Sequence, residues 1–229
     1  ALVNDGDIYT TGLTTGFREE FLAMGGEIVF EGSVTRNDPN MTPFLTAVKN
    51  SGAEMIFFPL FQPDGNALLQ QGKRTPGFEN MVFMSDGSLI DASFLDAVKE
   101  DALGMYFVGP TPPAPGPEVA RLAAEYRARY GAAAPTMYYV SAFDAANILF
   151  AALEKAARTL PDGSLRIGRQ ALRDAMYGTA GFKGVSGELT CDEFGDCAGQ
   201  RFNVLRLDDL KAGIDGLKRN IVFTYPPAS

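Results

Sequence analysis

Short apolar runs alternate with longer segments of helical periodicity through the first half of the chain. Residues 1–4, 27–30, 55–58, 81–84 and 105–108 read as strands. Between them, residues 13–24 carry Leu13, Phe17, Phe21 and Met24 at helical spacing, and Gly25-Gly26 ends that helix. Residues 41–50 place Phe44, Leu45 and Val48 on one side before Ser51-Gly52 stops them. Residues 63–74 open with Pro63 and Asp64, both favourable in a first helical turn. Residues 89–100 complete the series. Repeated alternation of strand and helix predicts a parallel sheet with helices on its faces and right-handed crossovers.

The pattern then breaks. Gly109-Pro110-Thr111-Pro112-Pro113-Ala114-Pro115-Gly116-Pro117 holds five prolines in nine residues and reads as a stiff extended connection, neither helix nor central strand. Helices are expected at 118–130, 138–160 and 166–177, the second offering Phe143, Ile148, Ala151, Ala152 and Leu153 for burial. Strands or hairpins follow at 187–189 and 202–207, and a last apolar strand at 221–223. Three apolar residues before Asn4-Asp5 are few for the first strand of a core sheet, and the three late helices lack a sheet to cover. Both points lead us to expect a sequence preceding Ala1.

Candidate chemistry follows three of the strands. Tyr9 comes after the 1–4 run, Phe61 after 55–58, and Asp86 after 81–84. In an open parallel sheet, ligands bind just outside the carboxyl ends of the strands. Two rings and one carboxylate on that edge suit a small cationic or zwitterionic solute. Each residue also has a structural reading. Asp86, in Ser85-Asp86-Gly87-Ser88, fits a turn or a helix cap. Phe61, in Leu60-Phe61-Gln62-Pro63, and Tyr9, in Ile8-Tyr9-Thr10, could belong to the core.

The charge balance narrows the function classes. The 229 residues carry 28 acids and 20 bases, a net charge of −8, with no basic run longer than Lys73-Arg74. Nucleic-acid binding, which needs a concentrated basic face, is not expected. The chain has no histidine, so the commonest general base and metal ligand is missing, and Ser33, Ser85 and Ser186 have no imidazole to activate them. Neither a GxGxxG nor a GxxxxGK[ST] phosphate loop occurs. The acids of Asn4-Asp5-Gly6-Asp7 and those around Phe194 lack the spacing of a calcium loop. We therefore expect no enzyme, no metal and no cofactor. No apolar run approaches the roughly 18–20 residues of a membrane helix. Cys191 and Cys197 flank Phe194-Gly195-Asp196, which can turn the chain and bring the sulfurs together as a hairpin disulfide; the alternative is two unpaired thiols. A disulfide would imply an oxidising compartment.

Several segments, in order, resemble the type I periplasmic solute-binding proteins, in particular the branched-chain amino acid (Leu/Ile/Val) receptors of ABC importers. Val3-Asn4-Asp5-Gly6-Asp7-Ile8-Tyr9 with Gly12 is similar to the family's strand, Asp and Tyr-Gly signature, with Thr10 where a glycine is usual. Phe57-Phe58 through Pro63 is similar to its next strand and loop, and Phe83-Met84-Ser85-Asp86-Gly87 to its strand ending in an acid and a glycine. Tyr139, Phe143, Asp144, Ala145 and Ala146 match its Tyr-Asp-Ala helix. Gly187-Glu188-Leu189-Thr190-Cys191-Asp192 with Gly195-Asp196-Cys197 matches its late hairpin, which in many members carries this cysteine pair.

The resemblance implies an α/β fold of two parallel-sheet lobes joined by a hinge, with the amino-terminal part of one lobe missing. It divides the chain into a ligand-binding lobe at 1–110, a helical remainder of the other lobe with a late hairpin at 111–200, and strands returning to the first at 201–229. It gives Asp86 to the ammonium of an amino acid and sets Tyr9 and Phe61 on ligand-lining aromatic positions, Phe61 where many members carry tyrosine. It implies permease membrane subunits as partners and a periplasmic or extracellular location, with a lipid anchor left open. A ligand-sensing regulator of the same fold, binding an amide, urea or aromatic acid, is the alternative.

Overall fold

The computed structural model describes residues 1–136, 138–197 and 201–226. In chain order, β1 (Leu2–Asn4), α1 (Ile8–Ala23), β2 (Glu31–Ser33), α2 (Thr42–Ser51) and β3 (Met55–Phe57) lead into α3 (Asp64–Lys73), β4 (Val82–Ser85), α4 (Ala92–Val98) and β5 (Tyr106–Pro110). Then come α5 (Pro117–Tyr130), α6 (Tyr138–Ala156), β6 (Ala157–Thr159), β7 (Leu165–Ile167), α7 (Arg169–Tyr177), β8 (Phe182–Gly184) and β9 (Gly187–Leu189). β10 (Phe202–Arg206), α8 (Gly213–Arg219) and β11 (Ile221–Tyr225) finish the chain. The chain divides into two units: Ala1–Thr111 with Arg201–Ser229, and Pro112–Gln200.

The first unit is built on a seven-stranded sheet in the order β11-β10-β5-β4-β3-β1-β2. β1 to β5 run parallel, while β10 is antiparallel to both β5 and β11. The parallel part therefore reads 2-1-3-4-5, a doubly wound order whose direction of winding reverses between β1 and β3. Right-handed crossovers then require α1 on one face of the sheet and α2, α3 and α4 on the other. The packing agrees. Phe44, Leu45 and Val48 of α2, Leu68 and Leu69 of α3, and Phe94, Leu95 and Val98 of α4 bury against Val3, Ile56, Phe83 and Phe107. Phe17 of α1 instead stacks on Phe57, with centroids 4.5 Å apart, on the opposite pleat of β3 from Ile56.

Several boundaries differ from the expected ones. The helix expected at 13–24 begins at Ile8, because Asp7 caps it through the Tyr9 amide at 2.8 Å. Thr10, Thr11 and Gly12 are weak helix formers, and the cap recruits them. The strand expected at 27–30 lies instead at Glu31–Ser33, since Leu2, Val3 and Asn4 pair with 31, 32 and 33. The apolar run before it serves packing, Phe30 lying 5.7 Å from Phe44. Gly109 and Pro110 are not linker but the end of β5, paired with Asn203 and Phe202. β4 reaches only to Phe107, so Pro110 loses no ladder bond on that side. The helix expected to run to Leu160 stops at Ala156, because Pro161-Asp162-Gly163 turns the chain into the β6–β7 hairpin, Leu160 N donating to Ser164 O at 2.8 Å.

The second unit holds α5, α6 and α7 with two two-stranded hairpins, β6–β7 and β8–β9. α6 buries one residue per turn: Val140, Asp144, Ile148, Ala152 and Ala156. Leu149 and Phe150 stay exposed, as does Ala151, which was expected to be buried. The buried Asp144 carboxylate accepts from Val185 N at 2.7 Å and from Ser186 N and Oγ at 2.8 and 2.5 Å, closing the β8–β9 turn. Cys191 and Cys197 are joined in a disulfide.

Candidate ligand-binding site

Three turns meet at the carboxyl edge of the sheet, where the winding reverses. After β1, Asp5-Gly6-Asp7 leads into the first turn of α1 and presents Tyr9. After β3, residues 58–63 lead into α3. Phe58 continues the β3–β4 pairing, its amide donating to Met84 O at 2.9 Å, and Leu60 is fully buried while Phe61 points outward. Gly65 lets this turn close: a Cβ there would lie 2.9 Å from Leu89 Cδ1 and 3.1 Å from Leu60 O. After β4, Asp86 opens a short 3-10 turn, Gly87–Leu89.

The structure brings Tyr9, Phe61 and Asp86 into one place. The Tyr9 and Phe61 rings are 5.4 Å apart, inclined by 37°, and close to half of each is exposed. The Tyr9 hydroxyl donates to Asp86 Oδ2 at 2.5 Å. Asp86 Oδ1 accepts from Ser88 Oγ at 2.6 Å. The Ser85 hydroxyl below donates to Phe58 O at 2.7 Å, tying this turn to the one carrying Phe61. Asp86 does not cap the helical turn that follows it, since its side chain receives no backbone amide there. The Asp86 residue is 5% exposed, and among the described residues no lysine or arginine nitrogen lies within ion-pair distance of it. The Ser85 hydroxyl also lies 3.4 Å from Asp86 Oδ1. A buried carboxylate held only by neutral hydroxyls is incompletely compensated. It keeps lone pairs for a further donor.

A second cluster braces the Tyr9 turn. Thr10 Oγ1 donates to Asp5 Oδ1 at 2.6 Å, and Arg36 donates from Nε to Asp5 and from Nη2 to Asp7, both at 3.0 Å. Burial works to raise the Asp5 carboxyl, but the bonds from Thr10, the Asp7 amide and Arg36 outweigh it and hold it below its ordinary value. Asp7 is also held low, first by the Tyr9 amide and then by Arg36. Arg36 is raised in turn by Asp7 and Asp5. Asp64, at the start of α3, is pushed up by burial, although its carboxylate accepts the Asn37 amide at 2.9 Å.

The sequence did not single out Ser88 or Arg36. Ser88 follows Asp86 by two, a spacing that favours local side-chain bonding. Arg36 lies 31 and 29 positions from its partners, so no local signal exists. Among the described residues no group of three or more His, Cys, Asp or Glu could hold a metal ion. Among them, too, no helix is long and apolar enough to cross a membrane.

The sequence profile of the periplasmic binding proteins matches residues 1–212, and the chain belongs to that family. It is similar to a Leu/Ile/Val-binding protein homologue of Brucella melitensis, 25% identical over 92% of this chain and 54% of the relative. The chain thus spans about half the length of that relative. Its fold is similar to that of a leucine-binding protein, LivK, of Thermotoga maritima, at 20% identity and a TM-score of 0.71, covering 91% of this chain and 57% of the other. It is also similar to an ABC transporter solute-binding protein of R. palustris solved with benzoate, at 16% identity and a TM-score of 0.67, covering 100% of this chain and 58% of the other. These likenesses match the α/β fold of the type I periplasmic binding proteins.

Proposed function

We propose that this chain is part of the solute-binding component of an ABC importer, that its solute is an amino acid of the branched-chain or a similar class, and that it delivers the solute to a membrane permease. The observation that carries this reading is the buried Asp86, which among the described residues has no lysine or arginine within ion-pair distance and stands against two half-exposed rings. An ammonium would supply the missing charge and up to three donors. Tyr9 and Phe61 would wall the side chain with apolar surface. No catalytic role is assigned to these residues. The name of the Brucella relative supports the solute class. The Cys191–Cys197 disulfide supports an oxidising, periplasmic or extracellular setting.

The Tyr9–Phe61 ring pair also favours a second reading, an aromatic acid, as bound by the R. palustris protein. Asp86 weighs against it, because a ligand carboxylate placed there would meet a buried like charge. A regulatory sensor of the same fold would use the same edge. Native mass spectrometry of the protein from its natural host, without reductant, tests the reading. An adduct of amino acid mass supports it, and a benzoate-sized adduct overturns it.

A further inference from the structure

We propose that Arg36 is a positioning residue for the ligand edge: it clamps the β1–α1 turn and thereby fixes where Tyr9 stands. This rests on the reading of Tyr9 and Asp86 as ligand-facing groups. The chain of contacts is continuous. Arg36 reaches from beyond β2 and donates to Asp5 and Asp7 together. The Asp7 carboxylate uses its other oxygen to accept the Tyr9 amide at 2.8 Å. Tyr9 then donates its hydroxyl to Asp86 at 2.5 Å. Thr10 locks the same turn from the inner side, fully buried, its hydroxyl donating to Asp5 and accepting the Asp5 amide at 3.3 Å.

The geometry explains why an arginine serves here. Two carboxylates two residues apart repel each other across a turn whose Gly6 has a φ of +78°. A planar guanidinium can bond both at once with fixed directions, whereas an ammonium is a single point charge. The Arg36 side chain is 51% exposed and that of Asp7 34%, so their pair is partly screened and adds little plain stability. The Asp5 side chain is 3% exposed, and its bond to Arg36 is the better shielded of the two. Its effect is local: it holds the first turn of α1 in one place, so that a ligand need not order the Tyr9 ring on binding. Preorganisation of this kind acts on affinity.

The test uses the intact protein, L-leucine as probe, and Arg36→Gln in two backgrounds. With Tyr9 present, Arg36→Gln weakens binding about fivefold. With Tyr9→Ala the ring is gone, and Arg36→Gln changes binding less than about twofold. Arg36→Lys, which keeps the charge but not the fork, falls between. Equal losses in both backgrounds, or no loss in the first, overturn the proposal. A second readout needs no ligand. Hydrogen exchange of the Tyr9 amide speeds up in Arg36→Gln while Phe57 and Met84 amides in the sheet stay unchanged; unaltered Tyr9 exchange overturns the clamp whatever the ligand proves to be. Binding of L-leucine that is indifferent to Asp86→Ala defeats the ligand reading alone and leaves the exchange result to decide the clamp.

Discussion

The Tyr9 hydroxyl donates to Asp86 Oδ2 at 2.5 Å across 77 positions of sequence, and this bond joins the turn after β1 to the turn after β4. Between the two turns lies β3, whose following turn supplies Phe61. The edge thus holds a carboxylate at the bottom and two rings above it. Replacing Tyr9 by Phe removes one of the two close hydroxyl donors to a buried carboxylate. We expect a loss of about 1–3 kcal/mol, read from the midpoint of urea unfolding. Tyr130→Phe, whose residue is 62% exposed, is the control and shifts stability by less than about 0.5 kcal/mol.

Phe61 contributes area rather than charge. With 47% of the residue exposed, Phe61→Ala leaves unfolding nearly unchanged. It removes apolar wall from the edge, so on the proposed reading affinity for L-leucine falls about tenfold while affinity for L-alanine falls less. Isothermal titration with both amino acids checks the contrast; equal losses would place Phe61 away from the solute side chain.

Asp144 carries the largest stability prediction. Asp144→Ala orphans the Val185 and Ser186 amides and costs about 2–4 kcal/mol in the unit that contains α6 and the β8–β9 hairpin. Asp144→Asn keeps an acceptor and costs less. Gly184→Ala is damaging for the same reason, since its Cβ would sit 2.7 Å from Asp144 Oδ2. Denaturation of the three variants should rank Asn mildest; equal transitions would mean the turn is held by something else.

Acidity should release the Arg36 clamp. Asp5 and Asp7 both hold their protons less tightly in the folded chain than their ordinary values imply. The unfolded chain therefore binds more protons across that interval, so this contribution is present at neutral pH and is lost as pH falls through and below the ordinary Asp value of about 3.9. The stability difference between the native protein and Arg36→Gln should be flat from pH 7 to about pH 5 and shrink below about pH 4. Added salt should reduce it at every pH. A difference that grows on acidification would contradict the assignment.

Much of this edge was legible in the sequence, for a physical reason. Parallel strands buried on both faces are compact apolar runs, and the residues that follow them must stand at one edge, so Tyr9, Phe61 and Asp86 could be named together. The β1–α1 boundary was not legible, because Thr10, Thr11 and Gly12 have poor helix propensity and only the Asp7 cap and tertiary contacts make them helical. β2 was misplaced because its Glu-Gly-Ser sequence has no apolar residue and its register is set by β1. The β6–β7 hairpin hid behind an alanine-rich helix, although Pro161-Asp162-Gly163 marks the turn. Arg36 was invisible, because its partners lie far away in sequence and meet it only through the β1–β2 pairing.

The claim that Asp86 takes the ammonium of the solute can be tested on a pair of compounds differing in that group alone. L-leucine and 4-methylpentanoate share a carboxylate and an isobutyl end. Titration calorimetry on the intact protein should find L-leucine bound at least about 30-fold more tightly, as loss of one partner of a buried charge pair costs roughly 2–5 kcal/mol. In Asp86→Ala that preference should collapse to near unity. Equal binding of the two compounds by the native protein, or a preference that survives Asp86→Ala, would contradict the account.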